Sequence, residues 1–211
     1  MSIERHSSGI YRSSLLASLS WLDHGFGTAL ADPSPSILTL RQIHSAHVHR
    51  AADWSPALEG DALIADQPQV WVGVKTADCV PILLADIEHR VVAAVHCGWR
   101  GTVAGVATAC LARMRSLYGT RAEAIVAALG PAIGSCCYEV GPEVAVLFTG
   151  LSERAWIDLT AANVHQLLTA GVPARQIDQG APCSACHPAE LHSFRRDRER
   201  AGRMVSAIAI K

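Results

Sequence analysis

Two short apolar runs, separated only by Ile-Glu-His, constrain the fold of this chain more than any other feature. They are PILLAD at 81–86 and RVVAAV at 90–95. Apolar runs of this length, without polar alternation, are typical of strands that are buried inside a sheet. Pro81 cannot donate a hydrogen bond to a neighbouring strand, so we expect it at the start of its own strand.

Other segments of the chain show the strand pattern or the helical one. Further strands are predicted at 37–43, 62–65, 70–75, 124–130 and 203–210. Apolar residues at helical spacing predict helices at 103–118, 141–148 and 159–171. This mixture predicts an α/β (α+β) fold, a layered sandwich of mixed β-sheets with helices outside. The length of 211 residues suits a single domain spanning 1–211, in which 1–23 form a variable N-terminal segment.

The composition excludes several classes of protein and partner. Half of the residues are hydrophobic and 18% are charged, as in a globular protein. A net charge of -1 gives no basic excess for nucleic acid or a membrane surface, and no apolar stretch is long enough to span a bilayer. Seven cysteines, an odd number, indicate free thiols in a reducing cytoplasm, and the N-terminal apolar stretch is too interrupted for a secretory signal. We therefore expect a cytoplasmic monomer or homodimer that acts on small molecules.

Three residues at the ends of predicted strands, His44, Cys79 and His96, are candidate metal ligands. Taken singly, a cysteine in an apolar run is usually a small core residue, and a histidine at a strand end is usually only hydrogen-bonded. Their wide spacing is also unlike a short-range zinc motif. Nevertheless, open catalytic zinc sites take three protein ligands and leave the fourth position to water. From these residues alone, a core role and a metal site both stay open.

Five motifs in order carry a resemblance to a known family: RQIHS, TADCVPILL, AAVHCGWRGT, LGPAIGSCCYEVG and FRRD followed by GR. Together they resemble the laccase-domain family, also called the multicopper polyphenol oxidase or YfiH family. The resemblance runs from about His24 to the C-terminus. It implies a layered α/β sandwich and a single zinc ion, with copper also possible, bound by His44, Cys79 and His96.

The resemblance also implies an activity, purine nucleoside phosphorolysis. Adenosine, inosine or guanosine would react with phosphate to give the base and ribose 1-phosphate. Adenosine deamination and methylthioadenosine phosphorolysis are implied as well. The segment HGFGTALADPSPS lacks the Arg-x-Gly-Gly that many members carry, which leaves the preferred nucleoside open. Cys97 stands where alanine is usual, and alternation along the strand predicts that it faces away from His96.

The segment CGWRGT at 97–102 suggests where phosphate would bind. Gly98 and Gly101 permit close backbone approach, Arg100 supplies a fork of donors, and a predicted helix N-terminus follows. A surface ion pair is an equally open role for Arg100. Other candidate residues for substrate binding are Gln42, Trp99 and Arg195.

Asp78, directly before Cys79, is a candidate catalytic residue. A carboxylate there would serve as an acid or base, or would orient a ligand imidazole. The competing assignment is an aspartate that merely caps a turn. Cys79, His96 and Arg100 complete the predicted catalytic set.

Two other enzyme classes compete with the phosphorylase. A nucleophilic Cys79 with His96 as its base would suit amide hydrolysis that edits a cytoplasmic peptidoglycan precursor. A copper-binding polyphenol oxidase is favoured less, because multicopper oxidases need many ligands and the chain has one His-x-His pair, at 47–49. A metal-stabilised binding module without catalysis is the remaining alternative.

A second motif, CSACH at 183–187, matches the haem-attachment pattern in its letters. Without a secretory signal that pattern carries little weight. A redox pair or a second zinc site is possible for Cys183 and Cys186. We expect instead two ordinary loop thiols, and no role is assigned to His187.

Overall fold

The structure is a computed structural model that describes residues 2–211, and the two apolar runs form neighbouring strands at its centre. The strands, in chain order, are β1 (Ile3–Arg5), β2 (Tyr11–Ser13), β3 (Leu22–Phe26), β4 (Val48–Arg50), β5 (Ala62–Ala65), β6 (Val72–Thr76), β7 (Val80–Asp86), β8 (Val91–Cys97), β9 (Ile125–Leu129), β10 (Glu139–Val140), β11 (Ala155–Trp156), β12 (Ile177–Asp178) and β13 (Met204–Ile210). The helices are α1 (Ser14–Ala17), α2 (Trp99–Val103), α3 (Val106–Tyr118), α4 (Pro142–Thr149), α5 (Leu159–Thr169) and α6 (Phe194–Asp197). Short 3₁₀ turns occupy Ala51–Asp53, Ala122–Ala124, Ala174–Gln176 and Arg198–Arg200.

The strands form two main sheets. The six-stranded sheet has the order β12-β9-β7-β8-β5-β4, and it is mixed because its two outermost pairs are parallel whereas the others are antiparallel. The five-stranded sheet has the order β1-β2-β3-β13-β6 and is antiparallel throughout. Strands β10 and β11 form a separate short ribbon.

Side chains of the central strands alternate between two hydrophobic cores. On one face of the six-stranded sheet, Ile82 and Val95 join the apolar sides of α3, α4 and α5. On the other face, Leu83 and Ala94 pack against residues of the five-stranded sheet such as Ile208. Both faces are therefore covered, which explains why β7 and β8 are apolar along their whole length. The layers are helices, mixed sheet and antiparallel sheet, and the predicted layered sandwich is confirmed.

Most predicted elements are present within a few residues of their expected bounds, but two differ. Residues 37–43 form isolated bridges from Leu38 to Val72 and from Arg41 to Glu59 instead of a strand, because the segment passes from one partner to another. The helix expected at 103–118 is divided after Val103, since Gly105 adopts a left-handed conformation with φ 73°. Strands β1, β2 and β3 lie in the antiparallel sheet, and α1 lies between β2 and β3 in the chain. Across residues 2–211, no helix is both long enough and apolar enough to cross a membrane.

Candidate metal centre and substrate cavity

The structure brings His44, Cys79 and His96 together. Cys79 directly precedes β7 and His96 lies on β8, and the pairing of Pro81 with His96 places both at the same end of this hairpin. His44 reaches them from the loop before β4. One ligand atom from each residue lies within 4.8 Å of the others, and the two imidazole rings meet edge to face at 4.9 Å between centroids.

A buried carboxylate, that of Asp61, holds two of these ligands in place. Asp61 directly precedes β5, where it lies beside His96 across the strand pair. Its Oδ1 accepts hydrogen bonds from His96 Nδ1 at 2.8 Å and from the backbone N–H of His44 at 3.0 Å. Its Oδ2 accepts from the backbone N–H and the hydroxyl of Ser45, at 2.6 and 2.7 Å. Because a carboxylate can only accept, Nδ1 of His96 carries the proton and Nε2 is left for a metal.

The electrostatics of the three ligands suit a cation. Burial raises the pKa of Cys79, but hydrogen bonds from His44 and His96 outweigh burial and lower that pKa to about 6. Burial lowers the pKa of His96, but hydrogen bonds to Asp61 and Cys79 outweigh it and raise the pKa to about 9. Burial also raises the pKa of Asp61, and its hydrogen bonds with His96 and Ser45 bring it down to about 2. A thiolate and two imidazoles are a donor set that zinc binds, so these residues fit the implied ion.

The backbone is unusual at two positions of the site. His44 and Asp78 have positive φ values of 60° and 92°, a conformation that residues other than glycine rarely adopt. The Asp78 carboxylate accepts hydrogen bonds from the Ser184 hydroxyl and from the backbone N–H of Arg195, both at 2.6 Å. Asp78 therefore fastens the C-terminal part of the chain to the site. The imidazole-orienting role that was one option for Asp78 belongs to Asp61.

Gly98 is in close contact with the ligands, and Gly98→Ala is expected to displace them. A Cβ atom at this position would lie 2.8 Å from Cδ2 of His44 and 3.0 Å from Sγ of Cys79. With φ at -73°, the backbone itself tolerates alanine, so the effect is steric. We expect the affinity for a metal ion to fall by about 10–100-fold, as when a supporting contact of a ligand is lost, measured by competition with a chelator.

Gly101→Ala is the matched control for this prediction. Its Cβ would meet nothing closer than 3.3 Å, and it would touch the side chain of Val106 and the backbone oxygens of His96 and Ser45 rather than a ligand side chain. Equal losses of zinc affinity in the two variants would show that Gly98 has no special role beside the ligands.

The three ligands line a cavity of about 570 Å³. This volume is in the range of small-molecule sites. Its aromatic side chains are Trp99, Tyr138 and Phe194, and its cationic side chains are Lys75, Arg195, Arg198 and Arg203. Gln42 also lines it and is fixed by two hydrogen bonds of 2.7 Å with the backbone of Lys75. The predicted residues Gln42, Asp78, Trp99 and Arg195 are all found around this cavity.

The expected role of Arg100 in phosphate binding stays a prediction. The Arg100 guanidinium lies over the ring of Trp99, 4.1 Å from its centroid, and the residue is exposed and does not line the cavity. Helix α2 has only five residues. The cations that line the cavity are Lys75, earlier in the chain than Arg100, and Arg195, Arg198 and Arg203, later in it. Of these, Arg195 donates to the carbonyl of Glu139 at 2.8 Å and lies 5.2 Å from the Tyr138 ring centroid.

The motif at 183–187 lies close to two other cysteines. Cys183 and Cys186 are free thiols in a loop, and they meet Cys136 and Cys137 in a second group of close side chains. The imidazole of His187 hydrogen-bonds the carbonyl of Cys183 at 2.9 Å. Among residues 2–211, His47 and His49 belong to neither group of potential metal ligands.

Comparisons with known proteins agree with this geometry. The family described as multi-copper polyphenol oxidoreductase laccase matches residues 26–211. A protein of Bacteroides thetaiotaomicron named purine nucleoside phosphorylase is 39% identical over 166 residues, which are 71% of this chain and 60% of that protein. A protein of an unknown prokaryote named adenosine deaminase RL5 is 39% identical over 191 residues, covering 80% of this chain and 72% of its own length. The crystal structure of the hypothetical protein YfiH from Bacillus licheniformis superimposes with a TM-score of 0.88 over 99% of both chains at 24% identity, which shows a shared fold.

Proposed function

Because the chain belongs to the family described as multi-copper polyphenol oxidoreductase laccase, we propose that it is a zinc-dependent purine nucleoside phosphorylase. It would convert adenosine, inosine or guanosine and phosphate to the base and ribose 1-phosphate. Adenosine deamination and methylthioadenosine phosphorolysis are part of the same proposal. The observation that carries it is one cavity that combines three metal ligands with aromatic and cationic side chains.

Different side chains of the cavity would bind the purine and the phosphate. Trp99, Tyr138 and Phe194 offer ring faces against which a purine stacks. The cationic side chains attract phosphate and hold it against the sugar. In the reaction, a phosphate oxygen bonds to the anomeric carbon while the glycosidic bond breaks and its electron pair leaves with the purine.

Asp61 would hold His96 in one tautomer during this chemistry. Asp61 keeps the proton of His96 on Nδ1, so the other nitrogen remains directed to the metal position. When bound by His44, Cys79 and His96, zinc supplies Lewis acidity, which favours attack by water in deamination.

The decisive experiment compares adenosine with and without phosphate. The zinc-loaded protein should release adenine and ribose 1-phosphate only when phosphate is present, and inosine in either case. Chromatography separates the three products. A folded, zinc-loaded protein that gives none of them would overturn the proposal.

Arg198 is the cavity cation on which phosphate binding is best tested. Within residues 2–211 its side chain makes no hydrogen bond or ion pair, so it is available for a ligand. Losing one charge-assisted hydrogen bond costs about 1.5–3 kcal/mol, which is roughly a tenfold to hundredfold loss. We expect Arg198→Ala to raise the KM for phosphate by this factor and to leave deamination nearly unchanged.

Arg100→Ala is the control, since Arg100 is also an exposed arginine but does not line the cavity. It should leave both reactions close to the wild-type rate. If Arg100→Ala weakens phosphate dependence more than Arg198→Ala, phosphate binds on the Arg100 side of Trp99.

One observation supports a second candidate function. Cys79 and His96 are close enough to act as nucleophile and base, an arrangement suited to amide hydrolysis of a peptidoglycan precursor. The two functions respond to metal in opposite ways. Chelation removes the proposed phosphorylase activity, whereas it frees the thiol for hydrolysis of a muramyl-serine nucleotide.

A further inference from the structure

A second group of side chains, away from the substrate cavity, consists of Cys136, Cys137, Cys183 and Cys186, here called the thiol cluster. The first two lie in the turn between β9 and β10, and the other two in the loop between β12 and α6. All four Sγ atoms are within 4.8 Å of one another. The Sγ atom of Cys186 is 3.4 Å from that of Cys137 and 3.7 Å from that of Cys136.

These separations match the edges of a zinc tetrahedron. With Zn–S bonds of about 2.3 Å, two thiolates on a tetrahedral ion are about 3.8 Å apart, whereas a disulfide requires about 2.05 Å. Four thiolates with no other donor make a closed coordination shell, as in structural zinc sites. The His44, Cys79 and His96 site, in contrast, has three ligands and opens to the cavity.

Backbone contacts around the thiol cluster help to hold its sulfur atoms close together. The N–H of Gly134 donates to Sγ of Cys183 at 3.2 Å, which places a donor where a thiolate carries negative charge. A Cβ at Gly134 would lie 3.3 Å from Sγ of Cys136, which is a close contact. Turn hydrogen bonds from Cys137 to Gly134 and from Cys186 to Cys183 shape the two loops.

We infer that the thiol cluster binds a second zinc ion, whose role is to join the loop that contributes Tyr138 to the wall of the substrate cavity to the loop that leads into α6. Both loops contact Asp78, since Ile133 donates its N–H to the Asp78 carbonyl at 2.9 Å and Ser184 donates its hydroxyl to the carboxylate. The turn that holds Cys136 and Cys137 continues directly into Tyr138, a cavity residue. An ion at the cluster therefore fixes the position of this wall without touching the substrate.

Zinc content distinguishes the two sites. Wild type should carry about two zinc ions per chain, and both Cys79→Ala and the double variant Cys183→Ser/Cys186→Ser should carry about one. The triple variant should carry almost none. If the double variant retains as much zinc as wild type, the thiol cluster is not a zinc site, whatever the outcome at Cys79.

Two further measurements keep the test valid if the double variant folds poorly. In the Cys79→Ala protein loaded with cobalt, the thiol cluster should produce strong sulfur-to-metal charge-transfer absorption, because no thiolate remains at the other site. Protein purified without reductant should still show all seven cysteines as free thiols after denaturation with a chelator. A free-thiol count lower by two would overturn the inference in favour of a disulfide. A cobalt-loaded protein without that absorption would overturn it in favour of free thiols.

The double variant should also lose stability while keeping its first metal. Loss of a structural ion is expected to lower Tm by on the order of 10 °C. An unchanged Tm together with the loss of one zinc would overturn the role of joining the two loops.

Discussion

Replacing Cys79 by alanine is expected to lower kcat/KM for phosphorolysis by at least about a thousandfold, if the proposed function holds. Cys79 supplies the thiolate of the site and lies where the hairpin of β7 and β8 presents it beside His44 and His96. Without that negative charge, the two imidazoles are a weak site for zinc. Losing several kcal/mol of metal-derived stabilisation of the transition state gives a loss of this size. Steady-state kinetics and zinc analysis on the same sample measure both effects.

Cys97→Ala is the matched control. Cys97 is also a buried thiol at the end of β8, but it belongs to the core on the helical side of the sheet, away from His96. Its replacement removes one buried atom and should cost about 1 kcal/mol of stability with no change in zinc content. A Cys79→Ala protein that still turns over, or a Cys97→Ala protein that fails equally, would contradict the assignment.

Asp61→Asn is expected to have the second large effect, on both folding and metal binding. The two carboxylate oxygens accept hydrogen bonds from four donors of His44, Ser45 and His96. An amide of the same shape has only one acceptor oxygen, so its NH₂ group must face at least one of these donors. Breaking a buried charged network in this way costs about 3–5 kcal/mol of the free energy of unfolding. Zinc affinity should fall by about 10–100-fold because His96 loses its partner.

Asp66→Asn tests whether that effect is specific. Asp66 follows the other end of β5 and is partly exposed, where it accepts a hydrogen bond from the Tyr118 hydroxyl at 3.0 Å. Such a contact at the surface is worth less than about 1 kcal/mol. Denaturant unfolding and chelator competition should therefore separate the two variants, and similar losses in both would remove Asp61 from the metal site.

The central fold was predictable from the sequence because strands that are buried on both faces of a sheet are apolar along their whole length. Strands such as β5, β7 and β8 are buried at every position, and a short apolar run bounded by turn residues is typical of such a strand. The edge strand β1 and its neighbour β2, by contrast, are three residues long and mostly polar, so their pairing depends on the rest of the sheet. The pairing of residues 37–43 also depends on the rest of the structure. This segment has the apolar alternation of a strand, but it does not pair with one partner strand along its length.

The three candidate metal ligands could be recognised only through the motifs that surround them, and the carboxylate that supports two of them could not be predicted. Asp61 has an ordinary sequence context, an aspartate after glycine and before a strand, which also fits a turn. Its role follows from the register of β5 on β8, which places it beside His96. The thiol cluster depends likewise on a contact between two loops, from Ala132 to Cys183, that no local pattern predicts. Nor did the motif predict that the Arg100 guanidinium lies over the ring of Trp99.

The complete burial of β7 and β8 implies that the two halves of the site differ in how readily their backbone opens. Amides of strands that are buried on both faces and paired on both edges exchange with solvent only when the whole domain unfolds. Cys79 and His96 are attached to this slowest-exchanging unit. Arg198 lies instead in a short, exposed turn, where local fraying is inexpensive. The backbone that carries this cation of the cavity can therefore open without disturbing the strands that position Cys79 and His96.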